Sequence, residues 1–137
     1  MGPLTFVDTS AIVAILLKES DALDLLAKIE FAREGVTSSA VRLEACMVIA
    51  TRRDVSPLRA QRYFDDLVSE TRLTEAPIDE HVGRLAVGCF ERYGKGRHRA
   101  QLNFGDCLSY ACAKANAAFL LFKGDDFGKT DVLCAAL

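Results

Sequence analysis

The chain has 137 residues, half of them apolar and about a quarter charged, with a formal charge of −2. This length suits one domain, residues 1–137, with a real core, and the composition excludes a disordered chain or a generally basic nucleic-acid binder. No apolar run approaches the roughly 18 residues needed to cross a bilayer, and the N-terminus lacks a basic region leading into an apolar signal core, so a cytoplasmic protein with no membrane partner is expected.

The first stretch, Leu4 to Asp8, is an apolar run that ends in a carboxylate, as a buried parallel strand beside helices would. A short helix from Thr9 or Ser10 to about Leu17 follows. Ser20 and Asp21 start a second helix with Leu23, Leu26, Ala27 and Ile29 as its stripe, and Gly35 is read as its stop. Val36-Thr37 is a very short strand, and Ser38 or Ser39 opens a third helix to about Arg52. Ser56-Pro57 starts a fourth, to about Glu70. Thr71 to Ala76 reads as a modest strand closed by Pro77, and Asp79 caps a fifth helix with Val82, Leu85, Ala86 and Cys89 on one face. A basic, glycine-punctuated loop, Tyr93 to Arg99, precedes a sixth helix from about Phe104 to Ala115. Ala118 to Phe122 is a last buried strand, and Lys123-Gly124-Asp125-Asp126 its turn. This order predicts an α/β fold, a small, mostly parallel sheet covered by many helices. The five cysteines form no C-x-x-C pair and are read as buried free thiols in a reducing compartment, and the two histidines stand in no zinc-ligand spacing with them.

In such a fold the strand ends and the starts of the next helices share one edge of the sheet, where ligands bind. Asp8, Glu44, Asp106 and the pair Asp125-Asp126 all fall there. Each has an ordinary alternative. Asp8 can cap a helix, Glu44 can reach water from a helix edge, Asp106 can offset the helix dipole, and Asp125 and Asp126 can be turn residues. Glu44 is the most telling, because its helical neighbours Ala40, Val41, Met47 and Val48 place it within an apolar face. A buried, unpaired carboxylate costs several kcal/mol or becomes neutral.

Clustered carboxylates need a counter-charge. Oxygen ligands without His or Cys select Mg²⁺, with Mn²⁺ as substitute. Such an ion activates water and neutralises charge on a phosphate, so the expected chemistry is phosphodiester hydrolysis. One ion or two are equally compatible with these residues.

Four stretches, FVDTSAIVAIL, VRLEACMVI, YGKGRHRAQLNFGDCLSYACAK and LLFKGDDFGKTDV, make the chain resemble a PIN-domain ribonuclease of the VapC type, the toxin of a toxin–antitoxin pair. They span nearly the whole sequence in the order of that family. The resemblance implies a PIN-like α/β/α fold and a metal-dependent endoribonuclease silenced by a VapB-type antitoxin. It also implies a homodimer and an RNA substrate such as tRNA or rRNA. It carries catalytic and metal-binding roles onto Asp8, Glu44, Asp106 and Asp126, with Asp125 close behind as a metal ligand. Thr9 or Ser10 would hydrogen-bond a metal water or a phosphate, and Asn103 would orient Asp106.

Lys95, Arg97 and Arg99, with His98 among them, are suited to RNA phosphates, a contact that fixes position and weakens with salt. A solvated loop or an antitoxin-binding surface is the alternative, and the same ambiguity attaches to Arg52, Arg53, Arg59 and Arg62. Nothing places His98 as a general base. A haloacid dehalogenase-like phosphatase would need an acid at position 10, which is Ser10, and the parts stand in the wrong order for a response-regulator receiver. Gly128-Lys129-Thr130 lacks the P-loop's first glycine in register. The rival reading is a non-catalytic interaction module on a PIN-like fold.

Overall fold

Phe6 and Val7 have no exposed surface, because the strand they form, β1 (Leu4–Val7), lies inside a sheet with a neighbour on either side. The computed structural model describes residues 4–135. After β1 come α1 (Thr9–Leu16), α2 (Ala22–Phe31), β2 (Glu34–Thr37), α3 (Ser39–Arg53) and α4 (Pro57–Thr71). Then follow β3 (Thr74–Glu75), α5 (Glu80–Tyr93), α6 (Phe104–Ala115) and β4 (Phe119–Leu121). The four strands are parallel and ordered β3-β2-β1-β4, with Phe6 beside Val36 on one side and Leu120 on the other. The expected α/β class, a small parallel sheet flanked by helices, is what forms.

Strand order reverses between β1 and β4. The chain steps outward from β1 to β2 and β3, then returns to the far side of β1. Ligands of open α/β sheets bind outside the carboxyl ends of the strands at such a reversal. There the Asp8 amide donates to the Leu121 carbonyl at 3.0 Å, which ties the two strand ends together.

Local chemistry sets where the helices begin. The side chains of Asp8, Ser38, Ser56, Asp79 and Asn103 each accept from a backbone N–H two or three residues on. Each satisfies one of the donors that a helix start leaves unpaired. Pro57 occupies the first turn of α4, where its missing N–H costs nothing.

Four expectations are corrected. Gly35 does not stop the second helix, which ends at Phe31, but lies inside β2. A Cβ at Gly35 would stand 2.6 Å from Leu73 Cδ2, so glycine there lets the buried Leu73 side chain pack closely against β2. The expected strand Thr71 to Ala76 shrinks to Thr74–Glu75, because Thr71 completes α4 and donates its hydroxyl to the Leu67 carbonyl. In α2 the buried residues are Leu25 and Ile29, whereas Leu23 is exposed, since two residues turn a helix by more than half a circle. Finally, Cys46, Cys89, Cys107 and Cys112 are buried free thiols as expected, but Cys134 is exposed.

The segment after β4 folds back on the domain. Cys134 bridges to Leu120, and Asp131 accepts from the Tyr110 hydroxyl and pairs with Lys114 and Arg92. Among the described residues no helix is long and apolar enough to cross a membrane.

Candidate active site

Asp8 is the best-held of the expected acids. It is only 3% exposed, at the end of β1 and the cap of α1. Its Oδ2 accepts from the Ser10 amide at 3.0 Å and the Ser10 hydroxyl at 2.7 Å. Its Oδ1 accepts from the buried Ser109 hydroxyl at 2.6 Å. Capping and membership of an acidic cluster are therefore both true of Asp8. Three donors on one carboxylate compensate the cost of burying it. The Ser10 hydroxyl also accepts from the Lys123 amide at 2.9 Å, which anchors the turn carrying Asp125 and Asp126 to Asp8.

Glu44 departs from expectation. It is half-buried at the edge of α3, while its neighbours Leu43 and Met47 are exposed. The buried positions of α3 are Val41, Ala45, Cys46 and Ile49, so apolar spacing alone misplaced it. Its carboxylate nevertheless turns inward. Oε1 accepts from the Thr9 hydroxyl at 2.5 Å, and a Cβ placed on Gly105 would stand 2.5 Å from Oε2 and 2.8 Å from Oε1. Glycine at position 105 lets the first turn of α6 approach that carboxylate.

Asp106 lies in that same turn. Asn103 and Asp106 form a reciprocal capping box: the Asp106 amide donates to Asn103 Oδ1 at 2.9 Å, and the Asn103 amide to Asp106 Oδ2 at 3.0 Å. Burial, together with the charges of Asp8, Glu44 and Asp126, pushes the Asp106 carboxyl up to about 6, against the Asn103 hydrogen bond. Asp106 therefore feels three of the other acids at once. Both Asp125 and Asp126 are exposed, and Asp126 also stands 3.6 Å from Lys129.

Asp8, Glu44 and Asp106 thus converge at the reversal of strand order, with Asp126 on the turn that Lys123 and Ser10 tie to Asp8. Thr9, Ser10 and Asn103 hold the acids themselves. Ser109 was not anticipated from the sequence. The one available signal was a serine three residues after Asp106 in an otherwise apolar helical run.

Among the described residues no three His, Cys, Asp or Glu side chains stand in ready metal-binding geometry. The donor set still fits a hard divalent cation: it is all oxygen, and its carboxylates repel one another.

Lys95, Arg97 and Arg99 are exposed. Arg97 donates to the Glu91 carbonyl and lies over the Phe90 ring. His98 packs edge-on against Tyr93 and accepts from the Ala100 amide through Nδ1, a structural role. Arg52 and Arg53 engage Glu19 and the Leu17 carbonyl, and Arg59 engages Tyr63. A groove of about 810 Å³ lined by Ile15, Leu26, Ile49, Val55, Tyr63 and Leu67 lies elsewhere, and Asp8, Glu44, Asp106 and Asp126 are not among its lining residues.

A parallel sheet in this order with acids gathered at its reversal defines a class, and the family model for the PIN domain matches residues 5–133. The chain belongs to the PIN-domain family, among its VapC-type members. It is 44% identical over 130 residues to ribonuclease VapC28 of Mycobacterium tuberculosis, a match covering 92% of this chain and 93% of that one. It is 40% identical over 126 residues to ribonuclease VapC of Mycolicibacterium smegmatis, covering 92% and 95%. Its fold superposes on Mycobacterium tuberculosis VapC20, described as a Sarcin-Ricin loop cleaving toxin, with a TM-score of 0.73 at 19% identity over 94% of this chain and 96% of that one. It also superposes on VapBC2 of Rickettsia felis, a complex bound to a promoter DNA fragment, with a TM-score of 0.67 at 19% identity over 96% of each chain.

Proposed function

We propose that this chain is an endoribonuclease, the toxin of a toxin–antitoxin pair, which hydrolyses RNA phosphodiesters with the help of a divalent cation. The observation that carries the reading is the meeting of Asp8, Glu44 and Asp106 at the strand-order reversal, where Ser109 joins α6 to Asp8 and Gly105 brings the first turn of α6 against Glu44. Its ribonuclease relatives support the same reading.

Asp8, Glu44, Asp106 and Asp126 would hold Mg²⁺ or Mn²⁺, with Asp125 a further oxygen donor beside them. When bound, the cation supplies an activated water and neutralises charge developing on the phosphate. The protein contributes position. Ser10 and Ser109 fix both oxygens of Asp8, Thr9 fixes Glu44, and Asn103 fixes Asp106. Lys95, Arg97 and Arg99 would hold RNA phosphates, so binding weakens as salt rises. The reading carries with it a VapB-type antitoxin that silences the enzyme, a homodimer and a cytoplasmic site of action.

The test is cleavage of a cellular RNA pool by purified protein, with Mg²⁺, with Mn²⁺ and with chelator. The expected result is cation-dependent cleavage that Asp8→Asn and Asp106→Asn each abolish with the fold intact by circular dichroism. No cleavage with either cation, together with antitoxin binding that those variants leave untouched, would make the chain an interaction module instead.

A further inference from the structure

Phe104 is 83% exposed, the most exposed of the large apolar side chains among the described residues. It is the first residue of α6, between the cap Asn103 and Gly105, whose α-carbon abuts the Glu44 carboxylate. A large ring in water gives up the gain that burial would bring. The cap geometry does not require it, since the capping box is made by Asn103 and Asp106 alone.

The surroundings indicate what would cover the ring. The basic loop is closed at its base: Gly94 bridges to Leu102, the Lys95 amide donates to the Leu102 carbonyl at 2.9 Å, and the Leu102 amide donates to the Tyr93 carbonyl at 3.0 Å. Lys95 is thereby pinned to a residue two positions from Phe104, and Arg97 and Arg99 lie on the loop that this bridge closes. The exposed ring of Phe104 and the carboxylates of Glu44 and Asp106 thus lie at the first turn of α6, and exposed Lys95 stands on the loop pinned beside it. A single-stranded nucleic acid matches each part separately, with an unpaired base on the ring and phosphates on the cations.

We propose that Phe104 is a stacking platform for an unpaired RNA base next to the scissile phosphate. This rests on the ribonuclease reading above and deepens it. Every base offers a π-face, so the platform does not select sequence.

The test compares wild type with Phe104→Leu and Phe104→Trp, all as full-length protein. Cleavage of cellular RNA gives KM and kcat. Binding of single-stranded RNA dodecamers containing 2-aminopurine is followed by fluorescence in an Asp8→Asn background. Phe104→Leu, which keeps apolar bulk but no ring, is expected to raise KM about 5- to 100-fold with kcat little changed. It is also expected to abolish the stacking quench. Phe104→Trp should retain both. Unchanged KM and quench in Phe104→Leu would overturn the proposal. So would a change confined to the concentration dependence of assembly by light scattering, which would assign the ring to a second copy of the chain. If wild type cleaves no RNA at all, the ribonuclease reading fails, and the quench in the Asp8→Asn background still decides whether Phe104 stacks.

Discussion

The Ser109 hydroxyl donates to Asp8 Oδ1 at 2.6 Å, joining the middle of α6 to the end of β1 across 101 positions of sequence. Both residues are buried, so no water replaces either partner. The bond couples the helix that carries Asp106 to the strand that carries Asp8.

Ser109→Ala is therefore expected to leave a buried carboxylate one donor short. A hydrogen bond to a charged group contributes about 1.5–3 kcal/mol, and thermal unfolding should show a loss of that order. Cleavage should fall by about tenfold or more, since small misplacements of reacting groups are costly. A variant with wild-type melting and wild-type activity would show that Ser10 alone holds Asp8.

Gly105→Ala tests the approach of α6 to α3. The added Cβ falls 2.5 Å from Glu44 Oε2, so the carboxylate must swing away and lose its bond from Thr9. Because the end of a flexible side chain and not backbone must give way, the stability cost is expected at the low end of overpacking, about 1 kcal/mol. The expected outcome is a folded protein with little cleavage. Combining it with Glu44→Ala should restore stability but not activity, as calorimetry and an RNA assay would show.

Asp106 sets a pH dependence. Its carboxyl is raised to about 6 in the fold by burial and by the neighbouring acids, against about 3.9 when unfolded. The folded state thus binds the proton more tightly. The ionised residue destabilises the fold as pH rises from about 4 through 6, and the penalty is complete above that. In chelator, Asp106→Asn should melt higher than wild type at pH 7, by about 1–2 kcal/mol after discounting for partial exposure. The difference should vanish near pH 4. Relief of the same repulsion predicts that Glu44→Gln without cation is at least as stable as wild type, and a large loss of melting temperature would instead make Glu44 structural.

Asp131 has the opposite sign. Burial works against its charge, but the Tyr110 hydroxyl, Lys114 and Arg92 hold its carboxyl down at about 2. Its contribution is present above pH 4 and is lost as pH falls through 2. The group is well exposed, so screening keeps the effect at about 1 kcal/mol or less. Asp131→Asn should loosen the segment after β4, seen as faster amide exchange at Val132, without changing cleavage.

The residue string by itself determined where helices begin and that Asp8 closes the first strand. Capping by Asp8, Ser38, Asp79 and Asn103 acts over two or three residues, and a buried central strand must be apolar throughout. Those are local rules, legible without coordinates. Gly35 misled because a glycine needed for packing against Leu73 looks, in sequence, like a helix stop. Glu44 misled because apolar neighbours three and four residues away are not all buried, as exposed Met47 shows. Only the tertiary structure decided that Ser109 holds Asp8 and that Thr9 and Gly105 frame Glu44. These pairings are set by parallel strand register and helix packing, which join residues far apart along the chain and leave no periodic trace in it.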